Sequence, residues 1–147
     1  MTIDTTGASA ALRLTSASPD ETRAIAARLA SVAEPGDVVC LWGELGAGKT
    51  VFAKGFGAGM GVRDTISSPS FVLMGEYAGR LPLFHIDLYR LDSVAQLTNI
   101  GWDEILNGDA LVIVEWPERA AGRLPPHVPI ALEYDPADES RRILLAG

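Results

Sequence analysis

Leu12 and Leu14 alternate with polar neighbours and predict a short first strand. Ser18-Pro19-Asp20-Glu21 then opens a helix, with Ser18 as N-cap, proline in the first turn and Glu21 reaching back as a capping box. Ile25, Leu29 and Val32 recur at helical spacing and are its expected buried stripe. Glu34-Pro35-Gly36-Asp37 stops that helix and turns the chain into Val38-Val39-Cys40-Leu41-Trp42, an apolar run of strand length. A second helix is expected after Lys49, burying Phe52 and Phe56 one turn apart. Gly55, Gly57, Gly59 and Gly61 each cost a helix about 1 kcal/mol relative to alanine. They place its end near Met60 and point to close packing or a bend.

The second half of the chain carries strand signals. The Ser/Pro cluster after Thr65 reads as loop, and Phe71 to Tyr77 as a strand. Leu83 to Tyr89 alternates, with Phe84, Ile86 and Leu88 on one face and Leu83, His85, Asp87 and Tyr89 on the other. Leu91 to Leu106 mixes polar and apolar residues around Gly101, which gives one short helix or two. Leu111-Val112-Ile113-Val114 is a continuous apolar run ending in Glu115, as suits a strand covered on both faces of a mostly parallel sheet. Pro117 prevents a simple extension. Val128 to Tyr134 and Arg142 to Leu145 read as two final strands, joined as a hairpin across Pro136-Ala137-Asp138.

Between the Val38–Trp42 run and the second helix, Gly43-Glu44-Leu45-Gly46-Ala47-Gly48-Lys49-Thr50 fits the phosphate-loop pattern G-x-x-x-x-G-K-[ST] at every fixed position. The strand–loop–helix setting is the one that motif needs. Its glycines let backbone N–H groups turn inward around phosphate oxygens, and the helix dipole favours the same anion. Lys49 is expected to reach the β- and γ-phosphates, and Thr50 to offer its hydroxyl to Mg2+. The expected fold is therefore α/β: a P-loop NTPase-like three-layer sandwich with a mostly parallel central sheet and antiparallel additions. A single domain over 1–147 is expected, with 1–10 as a candidate disordered end.

Such a loop needs an acid to hold magnesium, normally a carboxylate ending a second apolar strand, and Glu115 and, as second choice, Asp87 both qualify. Either is a candidate to orient an attacking water. His85 shares a face with Asp87 and reads as a hydrogen-bonded structural residue rather than a base. Trp116 has two readings, packing on the loop or a partner, or filling the core. Two histidines in all, His85 and His127, argue against a zinc site.

The balance of charge narrows the partners. Twelve basic against nineteen acidic residues give a net charge of −7, the opposite of what a polyanion-gripping surface carries. Nucleic acid is therefore expected as a partner's substrate rather than as something this chain holds itself. Met1 to Ala11 lacks the basic start and apolar centre of a secretory signal, and no apolar run is long enough for a membrane span. Cys40 is the only cysteine and reads as core filler. Together these point to the cytoplasm and no membrane partner. No guanine-selecting N-K-x-D segment follows, which leaves ATP as the preferred nucleotide.

The Gly43–Thr50 loop, Ser68-Pro69-Ser70-Phe71, His85-Ile86-Asp87-Leu88-Tyr89-Arg90-Leu91 and Val114-Glu115-Trp116-Pro117 occur in that order. Together they resemble the bacterial tRNA threonylcarbamoyladenosine biosynthesis protein TsaE (YjeE) family, over roughly Ser18 to Tyr134. The resemblance implies a P-loop ATPase, weak alone, that acts with TsaD and TsaB. Those proteins place threonylcarbamoyl on the adenosine beside the anticodon, and the ATPase resets their complex between rounds. It also implies Lys49 and Thr50 on phosphate and magnesium, Glu115 on the magnesium side, and Asp87 as an essential aspartate. Trp116 matches the family tryptophan beside the glutamate, and Ser70 lies in a switch-like segment near the γ-phosphate. Three positions depart from the family pattern. Val51 replaces a second threonine near the α-phosphate, Ser70 replaces a switch threonine, and Gln96-Leu97 replaces a Glu-Leu pair. The alternatives from other classes are a nucleotide-dependent regulatory binding module and a small-molecule kinase.

Overall fold

The computed structural model describes residues 2–4, 11–66 and 74–146. Its strands are β1 (Thr2–Asp4), β2 (Ala11–Ser16), β3 (Val38–Trp42), β4 (Met74–Ala78), β5 (Pro82–Asp87), β6 (Leu111–Glu115), β7 (Val128–Asp135) and β8 (Asp138–Ala146). Its helices are α1 (Pro19–Ser31), α2 (Lys49–Gly59), α3 (Ala95–Asn99) and α4 (Trp102–Leu106), with a 3-10 turn at Pro117–Ala120. The strands form one eight-stranded sheet in the order β1-β2-β8-β7-β3-β6-β5-β4.

Parallel pairing is confined to the centre, where β7, β3, β6 and β5 run side by side. The outer strands pair antiparallel on both sides, with β7 and β8 forming the expected hairpin. β3, and β6 up to its terminal Glu115, are apolar because helices cover both faces. Val39, Leu41, Leu111 and Ile113 point to the α1/α2 layer, and Val38, Cys40, Val112 and Val114 to the α3/α4 layer. Cys40 is fully buried, and burial pushes its thiol up to about 12, so it packs as a small hydrophobe. The same alternation turns Leu83, His85 and Asp87 of β5, and Ile113 and Glu115 of β6, toward α2.

α1 begins as its sequence requires. Ser18 accepts from the Glu21 N–H at 3.2 Å, while the Glu21 carboxylate reaches back to the Ala17 N–H at 2.6 Å. At its other end, Arg80 donates to the Ala30 and Ala33 carbonyls, both at 3.0 Å, placing a cation where the helix dipole favours one. The expected stripe of Ile25, Leu29 and Val32 is corrected here. Thr22, Ala26 and Ala30 are buried instead, Ile25 and Leu29 pack at the margin, and Val32 is 71% exposed. The reason is the partner helix. A Cβ on Gly55 would stand 2.4 Å from the Arg23 carbonyl oxygen, and one on Gly59 2.6 Å from Ala27 Cα. The two backbones therefore nearly touch, and only small residues fit on α1's contact face.

α2 otherwise runs as expected, burying Phe52 and Phe56 and ending at Met60. Each of those rings contributes about 1.5–3 kcal/mol of burial. Gly101 at φ 78° separates α3 from α4, so the region holds two helices. The strand expected from Phe71 is seen from Met74; residues 71–73 lie outside the described residues. Thr2–Asp4 adds an edge strand that no periodicity announced.

The helix contact gives a sharp test. Gly55→Ala gains about 1 kcal/mol of helix propensity but inserts a methyl into Arg23 backbone. We expect a net loss of about 1–3 kcal/mol in chemical denaturation, whereas a stabilised variant contradicts the close approach.

Candidate active site

Gly43–Gly48 carries the chain from the end of β3 into the first turn of α2. Gly43 has φ 155°, and a Cβ there would lie 2.6 Å from the Leu132 carbonyl oxygen. Conformation and space both demand glycine at that position. Gly48, at φ 107°, is the N-cap of α2 and offers no side-chain cap. With no side-chain cap from Gly48, the first turn of the eleven-residue α2 presents backbone N–H groups and a positive dipole end to an anion. The β7–β8 hairpin braces the loop from outside. The Tyr134 hydroxyl donates to the Leu45 carbonyl at 3.3 Å, and Arg142 donates to the Gly46 carbonyl at 3.5 Å while lying 4.1 Å over the Tyr134 ring.

Lys49 opens α2 and is only 5% exposed. Its ammonium donates to the Gly43 carbonyl and, at 3.1 Å, to the Glu44 carbonyl, and it sits 3.7 Å from the centroid of the Trp116 ring. Burial lowers its pKa, and the negative charges of Glu115, Glu118 and Asp87 partly offset this. A poorly hydrated ammonium held against its own loop interacts strongly with an incoming phosphate, because little water must be stripped from it.

Thr50 and Glu115 meet at the next turn. The Thr50 hydroxyl donates to both Glu115 oxygens, at 3.1 and 3.3 Å. Glu115 ends β6 at 2% exposure, and its Oε2 also lies 2.5 Å from His85 Nε2. Asp87 ends β5 in register with Glu115, is half-buried, and accepts from the Tyr89 N–H at 3.0 Å. Parallel pairing thus delivers both carboxylates to the N-terminus of α2.

Trp116 has φ 57°, a left-handed conformation that costs a bulky residue about 1–3 kcal/mol. Pro117 disfavours the right-handed helical alternative, and the ring is held between Lys49 and Tyr89, whose centroid lies 5.0 Å away. The half-buried indole lies against Lys49 and also packs on the core at the α3/α4 side, so both readings of its sequence describe part of its surroundings. A cleft of about 690 Å³ opens beside it, lined by Trp42, Leu45, Glu118, Leu132 and Tyr134 among others.

Loop residues Gly43 to Thr50, with Asp87, Glu115 and Trp116, thus converge. Val51 follows in the first turn of α2, half-buried. Ser70 lies outside the described residues. Gln96 accepts from the Asp92 and Ser93 N–H groups at 2.7 and 3.3 Å, so it organises the approach to α3. Sequence reasoning left Tyr89 and Glu118 outside the site. Tyr89 lies inside a quoted motif and Glu118 directly follows one, but neither spacing nor residue type announced the stacking on Trp116 or the charge near Lys49.

The donor set fits magnesium. A hydroxyl and carboxylate oxygens are hard ligands, and Mg2+ is usually held by one or two carboxylates plus substrate phosphates. Among the described residues no group of three or more His, Cys, Asp or Glu forms a ready metal cage.

Comparison with known proteins agrees with this fold. The family described as "Threonylcarbamoyl adenosine biosynthesis protein TsaE" matches residues 16–143. The tRNA threonylcarbamoyladenosine biosynthesis protein TsaE of Bacillus subtilis is 43% identical over 115 residues, covering 78% of this chain and 72% of that protein. The protein of that name from Treponema pallidum is 40% identical over 136 residues, covering 92% and 100%. The crystal structure of Bacillus subtilis YdiB superposes with a TM-score of 0.77 at 34% identity, covering 99% of this chain and 86% of that one.

The Glu115 contacts predict a stability difference. Glu115→Ala strips a buried imidazole of its partner, so it should unfold about 1–3 kcal/mol more easily than Glu115→Gln, which keeps an acceptor. Denaturation curves in which the alanine variant equals or exceeds the glutamine variant contradict the pairing.

Proposed function

Because the chain belongs to the TsaE family, we propose that it is a magnesium-dependent ATPase of the tRNA N6-threonylcarbamoyladenosine machinery. In this reading it acts in the cytoplasm with TsaD and TsaB, and it meets tRNA through them, in keeping with its net charge of −7. The observation that carries the reading is the convergence of Lys49, Thr50 and Glu115 at the uncapped start of α2.

The reaction is in-line attack of water on the γ-phosphorus. The loop N–H groups and the dipole of α2 receive the phosphate oxygens. Lys49 leaves its carbonyl partners for the β- and γ-phosphates and neutralises charge as the terminal bond breaks. Thr50 and Glu115 hold magnesium, which supplies further neutralisation of the phosphate charge when bound. Asp87, the more exposed of the two acids, orients the attacking water. The aromatic cleft beside Trp116 has the size and lining that suit a nucleoside.

Removing the ammonium should reduce hydrolysis by at least about 100-fold in Lys49→Ala. The check is release of inorganic phosphate from ATP, alone and with purified TsaD and TsaB. Stimulation of the unsubstituted chain by that pair is expected. Unchanged turnover in Lys49→Ala, or phosphate transferred to an acceptor instead of water, contradicts the reading.

A further inference from the structure

His85 is fully buried, and its two ring nitrogens have different fates. Nε2 lies 2.5 Å from Glu115 Oε2, whereas Nδ1 is buried with no hydrogen-bond partner among the described residues. Among the described residues a proton on Nδ1 would be a buried donor without an acceptor, and a bare Nε2 would face a carboxylate oxygen lone pair to lone pair. The geometry therefore places a proton on Nε2, donated to Glu115 Oε2. The contact is diagonal across two parallel strands: His85 pairs in register with Ile113, and Glu115 lies two residues further along.

We propose that His85 is a positioning residue, whose Nε2–H fixes the Glu115 carboxylate against Thr50 and so sets the orientation of the threonine hydroxyl toward a divalent cation. A hydroxyl has one proton and two lone pairs. With its proton committed to Glu115, Thr50 presents lone pairs to the cation. Glu115 holds that proton only while its own rotamer is held, and His85 is the remaining side chain bonded to it among the described residues. The strand face matters as well, since Leu83, His85 and Asp87 alternate toward α2 while Ile86 packs on the other side.

This inference rests on the magnesium-nucleotide reading and deepens it. Calorimetric titration with a non-hydrolysable ATP analogue, with magnesium and with chelator, is the test for His85→Leu and His85→Gln. His85→Leu should lose about 10–100-fold of its magnesium-dependent affinity, as removal of an outer-shell partner does, while affinity in chelator stays within about two-fold. His85→Gln, which restores an N–H donor, should recover most of that loss. Nitrogen NMR of the nucleotide-free unsubstituted chain should show Nε2 protonated, a readout that needs no variant to fold. The inference is overturned if Nε2 carries no proton, if His85→Leu keeps its magnesium dependence, or if both affinities fall together. An unsubstituted chain that binds no magnesium-nucleotide sinks the proposed function and this inference with it. Normal binding there beside an unaffected His85→Leu sinks the inference alone.

Discussion

A carboxylate at 2% exposure must find hydrogen-bond donors or destabilise the fold by several kcal/mol. Glu115 finds them on two other elements, the Thr50 hydroxyl at the start of α2 and His85 on β5. Those bonds tie the ends of two adjacent parallel strands to the helix that follows the loop. The acid is thus both a structural tie and the centre of the site. Its burial is tolerated because each contact comes from an element already fixed by the core.

The core does that fixing through an unusually close helix pair. Gly55 and Gly59 let α2 approach the backbone of α1 at Arg23 and Ala27, while Gly57 lies against the Ile66 side chain on another face of α2. Glycines that weaken an isolated helix seat this one between α1 and the sheet. Its N-terminus then points at the ends of β3, β6 and β5. Trp116, in a strained backbone conformation, closes the side of this crevice by lying on Lys49. Part of the cost of that strain is offset by the cation–π contact, which reaches about 2 kcal/mol when the pair is desolvated.

Much of this was legible in the residues because strong local signals and the final packing agree. The capping set at Ser18, the apolar runs of β3 and β6, the alternation of β5 and the break at Gly101 all reappear as expected. The phosphate loop was readable because its glycines and lysine have no easy structural substitute. What misled was burial on α1: spacing pointed to Ile25, Leu29 and Val32, but the glycine face of α2 admits only small residues. Periodicity sees one helix at a time and cannot see how near its neighbour comes. His85 was read as a structural residue from its alternation, and only strand register shows that its ring reaches Glu115. Ser70 lies outside the described residues.

The central claim is that the triphosphate's terminal oxygens and a divalent ion meet between Lys49, Thr50 and Glu115. The most direct test is a crystal structure with a non-hydrolysable ATP analogue and Mn2+ in place of Mg2+, located by anomalous scattering. The account predicts one anomalous peak beside Thr50 and Glu115, with the γ-phosphate against Lys49. Nucleotide bound away from the Gly43–Thr50 loop, or a metal on other residues, would contradict it.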